Sequence, residues 1–158
     1  MRVVTRNPEA TRSFAARLAR RLSGGEVLCL FGPLGAGKTT FIQGLARALG
    51  CRVAATSPSF MLVREYRTRR RAPATLYHMD FYRLGSGELP NLGLEDYLSD
   101  PAGACAIEWA ECALPSLPAD RLELRFAYAA GGRRRTIAVK ALGPCSSRLM
   151  LRALTPSA

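Results

Sequence analysis

Residues 26–49, EVLCLFGPLGAGKTTFIQGLARAL, decide how this chain folds. Within them Gly32–Thr39, GPLGAGKT, fit the phosphate-loop pattern GxxxxGK(S/T). Glu26–Phe31 form an apolar run suited to a buried parallel strand, and Thr40–Leu49 put Phe41, Leu45 and Leu49 on one helical face. Strand, loop and helix in that order are the context the pattern requires. Gly35 and Gly37 let the backbone curl so that its N–H groups converge on an anion. Lys38 can reach the β and γ phosphates, and Thr39 offers a hydroxyl to Mg²⁺. The helix starting at Thr39 aims its positive end at the same point. A glycine-rich turn that merely caps a helix is the bland alternative, and the flanking strand and helix argue against it. The stretch implies a nucleoside triphosphate.

Outward from this stretch, the 158 residues are enough for one domain with its own core, and no linker or repeat divides them. A single domain over residues 1–143 is expected, followed by a tail over 144–158 that is partly helical or disordered. Apolar runs are strand-sized, well short of the ~18 residues of a membrane span. A soluble, cytoplasmic protein is expected. The Arg- and Ala-rich first 22 residues imitate a transit peptide, but Pro8, Glu9 and the spacing of Phe14, Leu18 and Leu22 favour a structural helix. Cys29, Cys51, Cys105, Cys112 and Cys145 make no CxxC pair and no metal-ligand spacing, which suits a reducing compartment.

Net charge is +11 and the pI about 10.3, carried by arginine, since Lys38 and Lys140 are the only lysines. Such a balance favours polyanionic partners such as RNA, with Arg69–Arg71 and Arg133–Arg135 as candidates. Solvated loop charge explains either run alone equally well.

Periodicity predicts a helix over residues 8–22, closed by Ser23-Gly24-Gly25. A strand follows the phosphate helix at Phe60–Tyr66, then a hairpin tip at Arg67–Pro73 and a returning strand at Thr75–Met79 that ends at Asp80. One or two helical turns fit Glu88–Ser99, with Leu94 and Leu98 inward, and Cys105–Trp109 read as another short strand. Arg121–Tyr128 and Arg134–Ala141 alternate around Gly131-Gly132 as an antiparallel hairpin. The fold class is α/β, a phosphate-loop NTPase-like mixed sheet flanked by helices with that hairpin at its carboxyl-terminal end.

A phosphate loop needs an acidic partner to complete the oxygen shell of Mg²⁺. Asp80 and Glu108 stand at strand ends from which either could bind metal or orient an attacking water. An Asp at a strand end is otherwise a cap or turn residue. Trp109 could stack near the nucleotide as a cofactor-binding residue, and its large apolar body suits packing close to the site equally well; packing is the favoured reading. His78 reads as a satisfied core or sheet histidine, having no second ligand at metal spacing. Thr56-Ser57-Pro58-Ser59 offers hydroxyls where nucleotide switches keep a γ-phosphate sensor, or is an ordinary turn.

Taken in order, GPLGAGKTT, SPSFMLVREY, HMDFYRL, LGLEDYL and IEWAE resemble the TsaE (formerly YjeE) family of bacterial phosphate-loop ATPases, from about Thr11 to Glu111. The resemblance implies ATP hydrolysis in forming N6-threonylcarbamoyladenosine at position 37 of tRNAs that read ANN codons. It implies TsaD and TsaB as partners, with tRNA engaged directly or through that complex; for the free protein a monomer is expected. It also implies roles for residues. Gly35, Ala36, Gly37, Lys38, Thr39 and Thr40 would bind the phosphates of ATP, with Lys38 on the β and γ groups, and Leu34 would join them in the nucleotide site. Thr39 and Glu108 would hold Mg²⁺, and Asp80 would act near the metal and the attacking water. Thr11 resembles the threonine near the adenine, and Trp109 follows the metal-binding glutamate as in the family. Ser57-Pro58-Ser59 would form the switch segment, and Arg133 would contact nucleotide from the terminal hairpin. Pro33 stands where Asp is common, and Ser59 where Thr is usual; neither change removes a group the phosphates require.

Two other readings use the same loop. A small-molecule kinase would need an acceptor motif that the sequence lacks. A nucleotide-controlled binding module would need no turnover. A GTPase is disfavoured, because neither NKxD nor DxxG stands where base recognition and the γ-phosphate switch require it.

Overall fold

The apolar run before the glycine loop is the middle strand of a seven-stranded sheet in the computed structural model, which describes residues 1–52, 55, 62–84, 93–129, 132 and 134–154. In chain order the elements are β1 (Arg2–Thr5), α1 (Pro8–Ala19), β2 (Val27–Phe31), α2 (Lys38–Ala48), β3 (Val63–Arg67) and β4 (Thr75–Asp80). There follow α3 (Leu94–Leu98), β5 (Gly103–Glu108), a 3₁₀ helix (Ala110–Ser116), β6 (Leu122–Tyr128), β7 (Arg135–Ala141) and α4 (Pro144–Leu154). The strands lie in the order β1-β7-β6-β2-β5-β4-β3.

β2 runs parallel to β5 on one side and to β6 on the other, and β4 runs parallel to β5. The carboxyl ends of these four strands therefore share one edge of the sheet. β3, β7 and β1 pair antiparallel with β4, β6 and β7 respectively. All five residues of β2 are buried, as a central strand covered on both faces demands. Its side chains alternate between two cores. Leu28 and Leu30 join Phe14, Leu18, Phe41, Leu45 and Leu49 beneath α1 and α2. Val27, Cys29 and Phe31 meet Met79, Phe81, Leu94 and Ala113 on the face that carries α3 and the 3₁₀ helix. At Gly44 the helices touch: a β-carbon there would lie 2.7 Å from the Arg12 backbone.

The expected strands and helices are present with shifted ends. α1 stops at Ala19 rather than at residue 22, although Leu22 stays buried. The strand expected at Phe60–Tyr66 is β3, Val63–Arg67; residues 60 and 61 lie outside the described residues. Within Glu88–Ser99 the described helix is α3, with Leu94 buried and Leu98 partly so. One element goes beyond the sequence reading, and of the two alternatives for the tail the described residues 144–154 take the helical one. β1 is an edge strand of four residues, too short for alternation to reveal it. α4 occupies the segment after Gly143 and sends Leu149 and Ala153 into the core beneath α1. Asp120 holds its start, accepting the Cys145 and Ser146 N–H groups at 2.7 and 2.9 Å.

Candidate active site

The loop after β2 turns where side chains would obstruct it. Gly32 has φ 127°, and a β-carbon there would collide with the Phe126 carbonyl oxygen of β6. Gly35 and Gly37 have φ of 73° and 104°, which glycine adopts without penalty. Gly37 is the N-cap of α2 and gives no side-chain cap. The N–H groups of the first helical turn thus face the loop's concavity, an arrangement that suits an anion.

Lys38 lies across this mouth, 4% exposed, its Nζ donating to the carbonyls of Gly32 at 2.6 Å and Pro33 at 3.1 Å. Its ammonium sits 4.0 Å from the centre of the Trp109 ring. Burial lowers the Lys38 pKa below its ordinary value, and the nearby charges of Glu108, Glu111 and Asp80 pull it partly back. Trp109 is held at φ 55°, a left-handed conformation that a tryptophan rarely adopts. Its ring packs against Tyr82, centroids 4.9 Å apart, and the pair forms one wall.

Opposite the loop stand the ends of β4 and β5, where register pairs Asp80 with Glu108. Thr39 donates its hydroxyl to both oxygens of Glu108, at 2.9 and 3.0 Å. Glu108 is 3% exposed, and its Oε1 also meets His78 Nε2 at 3.0 Å. Asp80 accepts the Tyr82 N–H at 3.1 Å. Among the described residues no three His, Cys, Asp or Glu side chains cluster as a metal site. A hard cation here would take a hydroxyl and one or two carboxylates from the protein and its remaining oxygens from phosphates or water, which is how Mg²⁺ is commonly held.

The residues expected from sequence largely converge. Leu34, Gly35, Gly37, Lys38, Thr39, Thr40, Asp80, Glu108 and Trp109 line one cleft of about 280 Å³. Ala36 turns its side chain into the core, leaving its backbone to the loop. Thr11 stands apart from the cleft lining, buried, with its hydroxyl 2.9 Å from that of Thr5 at the end of β1. Arg133 and Ser57-Pro58-Ser59 lie outside the described residues.

Two residues carry more than the sequence reading assigned them. His78, expected to be satisfied, has only Nε2 engaged; its buried Nδ1 has no partner among the described residues. Its position two residues before Asp80 on one strand was the available signal, since i and i+2 share a face. Tyr128 donates its hydroxyl to the Leu34 carbonyl at 2.7 Å, with the Arg135 guanidinium 4.4 Å above its ring. Nothing local marks a tyrosine at the end of an alternating strand for that contact.

Residues 5–137 match the family model described as threonylcarbamoyl adenosine biosynthesis protein TsaE. The tRNA threonylcarbamoyladenosine biosynthesis protein TsaE of Bacillus subtilis strain 168 is 40% identical over 139 residues, covering 88% of this chain and 84% of the relative. The protein of the same description from Treponema pallidum is 38% identical over 85% of this chain and 96% of its own length. The crystal structure of Bacillus subtilis YdiB superposes with a TM-score of 0.79 at 36% identity, covering 97% of this chain and 93% of that one.

Proposed function

The chain belongs to the TsaE family, which takes part in tRNA threonylcarbamoyladenosine biosynthesis, and on that premise we propose that it is a Mg²⁺-dependent ATPase. Its hydrolysis of ATP drives or resets the TsaB–TsaD assembly that forms N6-threonylcarbamoyladenosine at position 37 of tRNAs reading ANN codons. The transfer chemistry resides on that partner. On the same reading the site of action is the cytoplasm, where tRNA is the substrate of the assembly.

The reading rests above all on the Thr39 hydroxyl, which meets both oxygens of a buried Glu108 at the start of a helix entered through a glycine loop. The N–H groups of Leu34–Thr40 cradle the phosphates, and Lys38 exchanges its loop carbonyls for the β and γ oxygens. Thr39 and Glu108 hold Mg²⁺, which when bound neutralises charge gathering on the phosphates. Asp80, beside Glu108 and partly exposed, orients the attacking water and takes its proton. Trp109 and Tyr82 wall the cleft against solvent. On the same proposal Thr11 would contact the adenine and Arg133 the nucleotide.

The test is phosphate release from Mg·ATP by the wild type and Glu108→Ala, each alone and with TsaB, TsaD and substrate tRNA. Release that rises with the partners and is lost in the variant is expected. Tight ATP binding with no release in any mixture would replace the ATPase by a nucleotide-controlled binding module.

A further inference from the structure

Nine of the chain's 21 arginines gather at the opposite edge of the sheet. β3 and β4 pair Val63 with Met79 and Arg67 with Thr75, so the hairpin tip beyond Arg67 lies at the edge away from the phosphate loop. α2 begins at that loop and spans eleven residues, about 16 Å, before reaching the same far edge. There the tip ties the helices together. The Arg69 N–H donates to the Leu49 carbonyl at 3.0 Å, and the Arg70 guanidinium donates to Ala19 O at 2.6 Å and Arg20 O at 3.4 Å.

Three segments thus meet: the end of α1 with Arg17, Arg20 and Arg21; the end of α2 and its following turn with Arg47 and Arg52; and the tip with Arg67, Arg69, Arg70 and Arg71. Residues 14–21, 45–52 and 67–74 carry these nine arginines and no carboxylate. Arg70 is explained by the helix carbonyls it caps. Arg52, Arg67, Arg69 and Arg71 are exposed. Arg52, Arg67 and Arg69 line a cleft of about 320 Å³ together with Thr68, Tyr66 and a single carboxylate, Glu65. Guanidinium groups spread around a groove match successive phosphates of a nucleic-acid backbone, which they bind by charge and bidentate hydrogen bonds.

We propose that this arginine-lined far edge is a binding surface for the phosphate backbone of tRNA, separate from the nucleotide cleft. The charge geometry stands by itself; the choice of tRNA as occupant rests on the functional reading above. The surface holds RNA while the phosphate loop, about 16 Å away, stays free to turn over ATP.

The experiment compares binding of an unmodified, fluorescently labelled tRNA that reads an ANN codon across a salt series. The proteins are the wild type, the triple variant Arg52→Gln/Arg67→Gln/Arg69→Gln, and the control Arg2→Gln/Arg148→Gln/Arg152→Gln of equal charge. The far-edge variant is expected to lose tenfold or more in affinity and to flatten the salt slope by about 2 to 3, while the control stays within about twofold. Single-residue Arg71→Glu, at an exposed position, is expected to weaken binding as well and covers the case in which the triple variant unfolds. Phosphate release from Mg·ATP by the same proteins is expected to be unchanged, which separates this proposal from the ATPase reading. Equal losses in both triple variants, no binding by the wild type, or full displacement of tRNA by inorganic phosphate at matched ionic strength would overturn it.

Discussion

Gly32 and Gly37 share a left-handed backbone but differ in what surrounds them. A β-carbon at Gly32 would strike the Phe126 carbonyl, whereas one at Gly37 meets nothing within 4 Å. Gly37→Ala is therefore expected to lose about 1–2 kcal/mol from backbone strain alone, and Gly32→Ala a further ~1–3 kcal/mol from overpacking against β6. Urea denaturation checks this, and equal losses would refute the close-approach argument. At Thr39 the hydroxyl is the group in question. Thr39→Val keeps the shape and is expected to lower phosphate release at least tenfold, about 1.4 kcal/mol or more, while Thr39→Ser stays within a few-fold. These residues were legible in the sequence because the loop pattern is local and its spacing carries the chemistry. The bond from His78 to Glu108 was not, because it spans thirty residues and depends on β4 and β5 lying in register.

Among the elements, α4 is the one whose attachment rests on a short list of polar contacts. Asp120 accepts two N–H groups of its first turn, so Asp120→Ala is expected to lose about 1–2 kcal/mol and to loosen Leu149 and Ala153 from the core. Hydrogen exchange confined to residues 144–154 would read it. β6 carries a different device. The Glu123 carboxylate is 5% exposed and bridges Arg121 and Arg125, each at 3.0 Å. Desolvation pushes its pKa up, but the hydrogen bonds and charges of Arg125 and Arg121 outweigh it and hold the group below the ordinary 4.5. Its contribution is therefore fully present above about pH 4.5 and lost as pH falls through the lowered folded value. Glu123→Gln is expected to cost about 1–3 kcal/mol at pH 7 and to flatten the acid limb of stability against pH. Most elements were legible because both periodicities were strong. β1 escaped because four residues on an edge carry too little pattern, and the tail stayed between helix and disorder because the amphipathic face of α4 shows only once α1 is known to need covering.

At the scale of the whole molecule, one sheet separates two edges. The loop after β2 and the ends of β4 and β5 bring Lys38, Thr39, Asp80 and Glu108 to the carboxyl edge, while α1, α2 and the β3–β4 hairpin deliver arginines to the other. If the carboxyl edge binds Mg·ATP, occupancy must stabilise the entire domain, because the unfolded chain has no cradle and the groups come from strands far apart in sequence. At a hundredfold excess over Kd the gain is about 2.7 kcal/mol. For a domain of this size that is a rise in Tm of roughly 5–10 °C. Lys38→Ala is expected to abolish most of the rise, and ATP without Mg²⁺ to give a smaller one. The far-edge variant Arg52→Gln/Arg67→Gln/Arg69→Gln should show it in full, since those side chains lie about a helix length from the phosphates. Calorimetry on the three proteins decides the matter: a rise that survives Lys38→Ala undiminished would place the nucleotide outside the loop, and one that vanishes in the far-edge variant would mean the two edges are coupled.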